Sequence, residues 1–122
     1  MNAAMHPLIN SLARAAAVLL TLGLFTIGSI PNVGHAFPGV LHWVAHLAVY
    51  AMIGLTSSLG WPRQPALLIA VLIALIGFAH EATEIVTHGH VFETADAIVN
   101  AIGTIIGVAI QRITQRTLRL RP

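Results

Sequence analysis

The chain contains no cysteine and no lysine, and only four acidic residues among its 122. Without cysteine there is neither a disulfide framework nor a thiolate metal site. Charged residues make up 8% of the sequence, where a soluble globular domain carries roughly 25%. A chain this short and this poor in charge cannot cover its own surface in water, so the sequence reads as a membrane protein. The six positive charges are all arginine, and four of them (Arg112, Arg116, Arg119 and Arg121) fall in the last eleven residues. A short basic tail after an apolar run reads as a juxtamembrane anchor facing anionic lipid, not as a nucleic-acid surface.

What is abundant is apolar sequence, 57% of all residues. Four stretches stand out, at about 13–30, 40–59, 66–86 and 95–113. Each is close to the ~20 residues that a helix needs to cross the hydrocarbon core. Helix is the required conformation there, because no water is present to satisfy the backbone. The fold expected is all-α, a four-transmembrane-helix bundle with short loops, forming one domain over 1–122. The first stretch is expected to be a retained span. Gly34-His35-Ala36 offers a small-x-small cleavage site, but the apolar run exceeds the ~7–15 residues of a signal peptide. Arg14 precedes the first span, Arg63 lies between the second and third, and the C-terminal arginines follow the fourth. The positive-inside rule then puts both termini in the cytoplasm and the first and third loops outside.

The acids are not dispersed. Glu81, Glu84, Glu93 and Asp96 fall in one window, with His80, His88 and His90 in or beside it. Ionisable groups within spans are costly and mark functional sites by default. The assigned orientation brings His42, His46 and Tyr50 of the second span to the same outer level as His80, Glu81 and Glu84 of the third. Asp96 and Asn100 of the fourth span join them. His42, His46 and Tyr50 follow one another at i, i+4 and share a helix face. Asp96, Asn100, Gly103 and Gly107 fall within roughly 60° of one another on a helix of 3.6 residues per turn. Gly103 and Gly107 form a small-xxx-small pair suited to close helix packing. Glu93 reads as a loop residue near the N-terminus of the fourth helix, where negative charge is favoured.

These residues resemble the VanZ-like membrane proteins. The family pattern has Asp-Lys-x-x-His-x-x-x-Tyr on the second span and Glu-x-x-Gln at the outer end of the third. An Arg follows shortly before Asp-x-x-x-Asn-x-x-Gly-x-x-x-Gly on the fourth. His46 and Tyr50 match the first segment, Glu81 the second, and Asp96, Asn100, Gly103 and Gly107 the last in full, over roughly residues 38–110. His42 and Trp43 stand where the family has Asp-Lys, Glu84 where it has Gln, and His90 where it has Arg. The resemblance implies a small multi-pass protein of the bacterial cytoplasmic (inner) membrane, with an accessory role in the cell envelope sometimes linked to teicoplanin susceptibility. Its partners would be the lipid bilayer and a lipid-linked envelope precursor or another membrane protein. The expected binding pocket comprises His46, Tyr50, Glu81, Glu84, His90, Asp96 and Asn100, between the second, third and fourth spans.

The departures enrich the site in metal-type donors. His42, His46, His80, Glu81 and Glu84 provide nitrogen and oxygen ligands suited to zinc or iron. A divalent metal is therefore an alternative to a cofactor-free binding site. With it comes the alternative of a metal-dependent hydrolase acting on a lipid-linked substrate, with Glu81 or Glu84 as general base. His80 beside Glu81 reads as an incidental neighbour of the site glutamate.

Overall fold

The computed structural model describes residues 5–89 and 91–119. It contains four long helices: α1 (Met5–Gly28), α2 (Val40–Gly60), α3 (Ala66–His88) and α4 (Thr94–Arg119). A single 3₁₀ turn, Val33–Ala36, interrupts the connection between α1 and α2. All four helices are long and apolar enough to cross a membrane. Length and composition together make this a multi-pass membrane protein. Large apolar side chains such as Leu19, Leu67, Leu75, Ile105 and Ile113 point outward, where lipid rather than water satisfies them.

The helices begin and end where local chemistry dictates. Pro7 sits in the first turn of α1, where its missing N–H costs no helical bond. Pro65 precedes α3 and cannot extend it backward. Gly89 ends α3 in the left-handed conformation at φ +68°, returning its N–H to the Ile85 carbonyl at 3.1 Å, a conformation that glycine adopts without a Cβ penalty. Hydroxyls inside the spans are satisfied locally. Thr21, Thr56 and Thr104 each donate to the carbonyl four residues earlier, at 2.7–2.9 Å. Helices α1 and α4 run several residues past the apolar limits read from sequence. Hydropathy marks the apolar part of a helix, whereas backbone hydrogen bonding continues the helix past it.

Helices α2 and α4 share the most extensive interface in the bundle. The cause is backbone proximity. A Cβ added to Gly103 would lie 2.5 Å from the Leu47 carbonyl oxygen, and one added to Gly54 would lie 2.6 Å from the Thr104 carbonyl oxygen. At Gly107 it would collide with the carbonyl of Ala51. Lipid tails provide no hydrophobic drive between helices, so such close van der Waals packing is what holds them. Ser58 adds a buried interhelical bond to Gln111 Oε1 at 2.8 Å. The apolar core is small: Tyr50, Ile53, Ile69, Ile73 and Val108. Helix α1 packs mainly on α2 and barely touches α3.

The two ends of the bundle differ in charge. At one end Arg14 Nε donates to the Gly60 carbonyl at 2.8 Å, and its guanidinium lies 5.8 Å from the Trp61 ring. Arg112 donates to the carbonyls of Pro62 (2.9 Å) and Gln64 (2.7 Å). These arginines meet the C-terminus of α2 and the loop after it, where carbonyls lack helical partners. The described histidines and acids of the sequence window gather at the opposite end.

Candidate functional site

Three helices supply the polar cluster. From α2, His42 Nε2 lies 2.8 Å from Asp96 Oδ2 of α4. One turn deeper, His46 Nδ1 lies 2.8 Å from Asn100 Oδ1. Asn100 Nδ2 in turn donates to Glu81 Oε1 of α3 at 3.2 Å. These bonds fix proton positions. A carboxylate only accepts, so the amide nitrogen of Asn100 faces Glu81 and its oxygen faces His46. His46 therefore carries its proton on Nδ1 when neutral, and its Nε2 is left as an acceptor. Helix α4 thus links α2 to α3 through one amide. The identical four-residue spacing of His42–His46 and Asp96–Asn100 is what stacks the two pairings one turn apart.

His80 is central to the arrangement. It is 2% exposed. Its ring meets Phe25 of α1 edge-on, with centroids 5.4 Å apart, and its Nε2 fills the space that a side chain at Gly28 would occupy. Its Nδ1 lies 3.9 Å from Glu81 Oε1, and its Nε2 lies 3.7 Å from Glu84 Oε1. Neither ring nitrogen makes a hydrogen bond, although both are buried. An unpaired buried polar group costs several kcal/mol, of the order of 2–7. The reading of His80 as an incidental neighbour needs correction: α1 packs directly on it and two carboxylates flank it.

The remaining expected residues fall into three groups. Glu81, Asp96 and Asn100 are almost wholly buried. Tyr50 lies below them in the apolar core, 0% exposed, with its hydroxyl unpartnered. It shares a stripe with His42 and His46 but lies deeper, with its ring against Gly77. Glu84 is partly exposed, and Gly103 and Gly107 belong to the α2–α4 contact. His90 lies outside the described residues.

Open space is found on the side of α1. A cleft of about 560 Å³ runs between α1, α2 and α3 under the loop that contains the 3₁₀ turn. Its polar end presents His42, His46, His80, Glu84 and Glu93, and its wall is Leu20, Leu24 and Val49 with Gly23 between. The junction of α2, α3 and α4, where sequence spacing put the pocket, is filled by the hydrogen-bonded side chains themselves. Helix α1 carries no acid or histidine in its spanning part, so no ionisable partner for the cluster marked it as a wall. The nearest signal was its pair of glycines, Gly23 and Gly28. His88 Nε2 donates to the Ile30 carbonyl at 3.0 Å and ties the end of α3 to the end of α1.

Two trios in this cluster have metal-ligand character. One ligand atom from each of His42, His46 and Asp96 lies within 4.8 Å of the others, and the same holds for His80, Glu81 and Glu84. Glu93, at the mouth, has its carboxyl pKa raised. The first cause is a side-chain hydrogen bond with Asp96, which forms only when one of the two carboxyls carries a proton; burial and the Asp96 charge add to it. With both carboxyls ionised, Asp96 Oδ1 has no donor.

No family model, curated protein or solved structure matches this chain.

Proposed function

We propose that this protein is a small cell-envelope binding or accessory protein that receives the polar head of a membrane amphiphile in the cleft beside α1. The observation that carries the reading is the gradation within the cleft. Histidines and carboxylates line one end and aliphatic side chains the other, in a volume of about 560 Å³. Small-molecule sites occupy ~300–1,000 Å³, with a few placed polar groups in a mainly apolar lining. A lipid-linked envelope precursor has the matching division into hydrogen-bonding head and hydrocarbon tail.

The resemblance of the second, third and fourth spans to VanZ-like proteins supports the same reading, in the bacterial cytoplasmic membrane. The arginine distribution supports an orientation with both termini cytoplasmic, which opens the cleft toward the outer leaflet.

The test uses Gly23. An added Cβ there meets nothing within 4 Å, so Gly23→Trp fills the cleft without disturbing the helix contacts. Lipids retained through detergent purification in the presence of a chelator are identified by mass spectrometry. The wild type is expected to retain a defined amphiphile and Gly23→Trp to lose it. Equal retention by both proteins would refute the assignment.

A further inference from the structure

We infer that His42, His46 and Asp96 form a binding site for a single zinc-type divalent cation at the polar end of the cleft. This rests on the same cleft as the proposed function but not on the identity of its ligand. Four observations converge. The three side chains bring two imidazole nitrogens and a carboxylate oxygen within 4.8 Å of one another. Two His and one carboxylate, with a fourth position open, is a ligand set of catalytic zinc sites. Asp96 is 1% exposed and its Oδ1 makes no hydrogen bond, so with Glu93 ionised this buried acceptor faces no donor. Finally, His46 is already held as a metal ligand would be.

That last point is the most specific. Histidine ligands characteristically donate their second ring N–H to a carboxylate or carbonyl, which fixes the tautomer and raises the basicity of the ligating nitrogen. Here His46 Nδ1–H donates to Asn100 Oδ1, and Asn100 is itself oriented by Glu81. The chain from Glu81 through Asn100 to His46 leaves Nε2 as the free lone pair. Asn100 and Glu81 are therefore positioning residues.

Zinc bonds of ~2.0–2.2 Å in tetrahedral geometry put neighbouring ligand atoms about 3.4 Å apart. His42 and Asp96 are 2.8 Å apart across their shared proton. The ion would replace that proton and widen the gap by about half an ångström. His42 and His46 both line the cleft, so the fourth coordination position faces it and would take a phosphate or carboxylate oxygen.

The experiment titrates chelator-stripped, full-length protein in lipid-free detergent with Zn²⁺ by calorimetry, and with Co²⁺ by visible absorption. One ion per chain is expected, with cobalt bands that zinc displaces. His46→Ala and Asp96→Asn are expected to abolish binding. Asn100→Ala is expected to preserve the stoichiometry and weaken affinity by about 10–100-fold. His80→Ala is expected to retain the ion. Absence of stoichiometric binding by the wild type overturns the inference. So does binding that survives His46→Ala but is lost in His80→Ala, which would move the ion to His80, Glu81 and Glu84. If Asp96→Asn does not fold, Asp96→Glu must shift the cobalt bands, and unchanged bands also overturn it. Because the titration contains no lipid and lipid retention is measured in chelator, each proposal can fail while the other stands.

Discussion

Asn100 is the residue whose replacement discriminates most sharply between a connected polar cluster and a set of independent side chains. Its amide makes two interhelical hydrogen bonds, one to His46 and one to Glu81, and is 1% exposed. Interhelical hydrogen bonds in membranes average ~0.6 kcal/mol and reach ~1.7. The bond to Glu81 belongs at the upper end because its acceptor is a buried carboxylate, and bonds to charged groups are worth roughly 1.5–3 kcal/mol. The expected cost of Asn100→Ala is therefore about 2–3 kcal/mol, or roughly 30- to 140-fold in the unfolding equilibrium at 1.4 kcal/mol per tenfold. Thr104, one turn further along the same buried stripe, is the control. Its hydroxyl bonds only to the Asn100 carbonyl of its own helix, so Thr104→Val is expected to cost at most about 1 kcal/mol. Both variants would be compared by reversible unfolding in mixed micelles, read by steric trapping. If Asn100→Ala costs no more than Thr104→Val, the cluster does not couple α2, α3 and α4, and the proton assignment of His46 loses its support.

Two further outcomes follow from the geometry. Gly107→Ala forces a Cβ onto the Ala51 carbonyl and is expected to destabilise the bundle by about 1–3 kcal/mol. Gly23→Ala meets nothing within 4 Å and is expected to be neutral or slightly stabilising in the same assay, through helix propensity; equal effects would contradict the α2–α4 contact. Glu93 has a folded-state pKa above its ordinary value of 4.5. Its contribution to stability is thus fully present below that value and is lost as pH rises through the folded pKa. Glu93→Gln, which retains a donor for Asp96, is expected to flatten the stability profile above the ordinary Glu93 pKa of 4.5. A profile of unchanged slope would rule out proton sharing with Asp96.

Much of the architecture was legible because it depends on bulk properties of the chain. Span number follows from apolar runs and hydrocarbon thickness. The stripe of Asp96, Asn100, Gly103 and Gly107 follows from helical periodicity, and all four residues face the inside of the bundle. Pairings were less accessible. His42 meets Asp96 across 54 residues, and no local spacing encodes which carboxylate a histidine finds. Tyr50 shows the limit of face-based reasoning: periodicity fixes its direction but not its depth. Of the expected pocket residues, His46 and Glu84 line the cleft while Glu81, Asp96 and Asn100 fill the junction behind it; the opposite wall is α1, whose spanning part has no acid or histidine to announce it.

Helix α1 is fastened unequally along its length. At one end Arg14 is bonded to Gly60 and lies against Trp61. At the other, Gly28 and Phe25 rest on His80, and His88 holds the Ile30 carbonyl just past the helix. From Arg14 to Gly28 the helix is a rigid arm of roughly 21 Å at 1.5 Å per residue. A tilt of about 10° about the arginine end carries Gly28 through about 4 Å, close to the width of an aliphatic chain. The arm is long, its arginine end is bonded to α2, and its other end, tied to α3 by the bond from His88 to the Ile30 carbonyl, covers the histidine. Sideways entry of the proposed amphiphile from the lipid, without passage through water, would therefore require the bond from His88 to the Ile30 carbonyl to break.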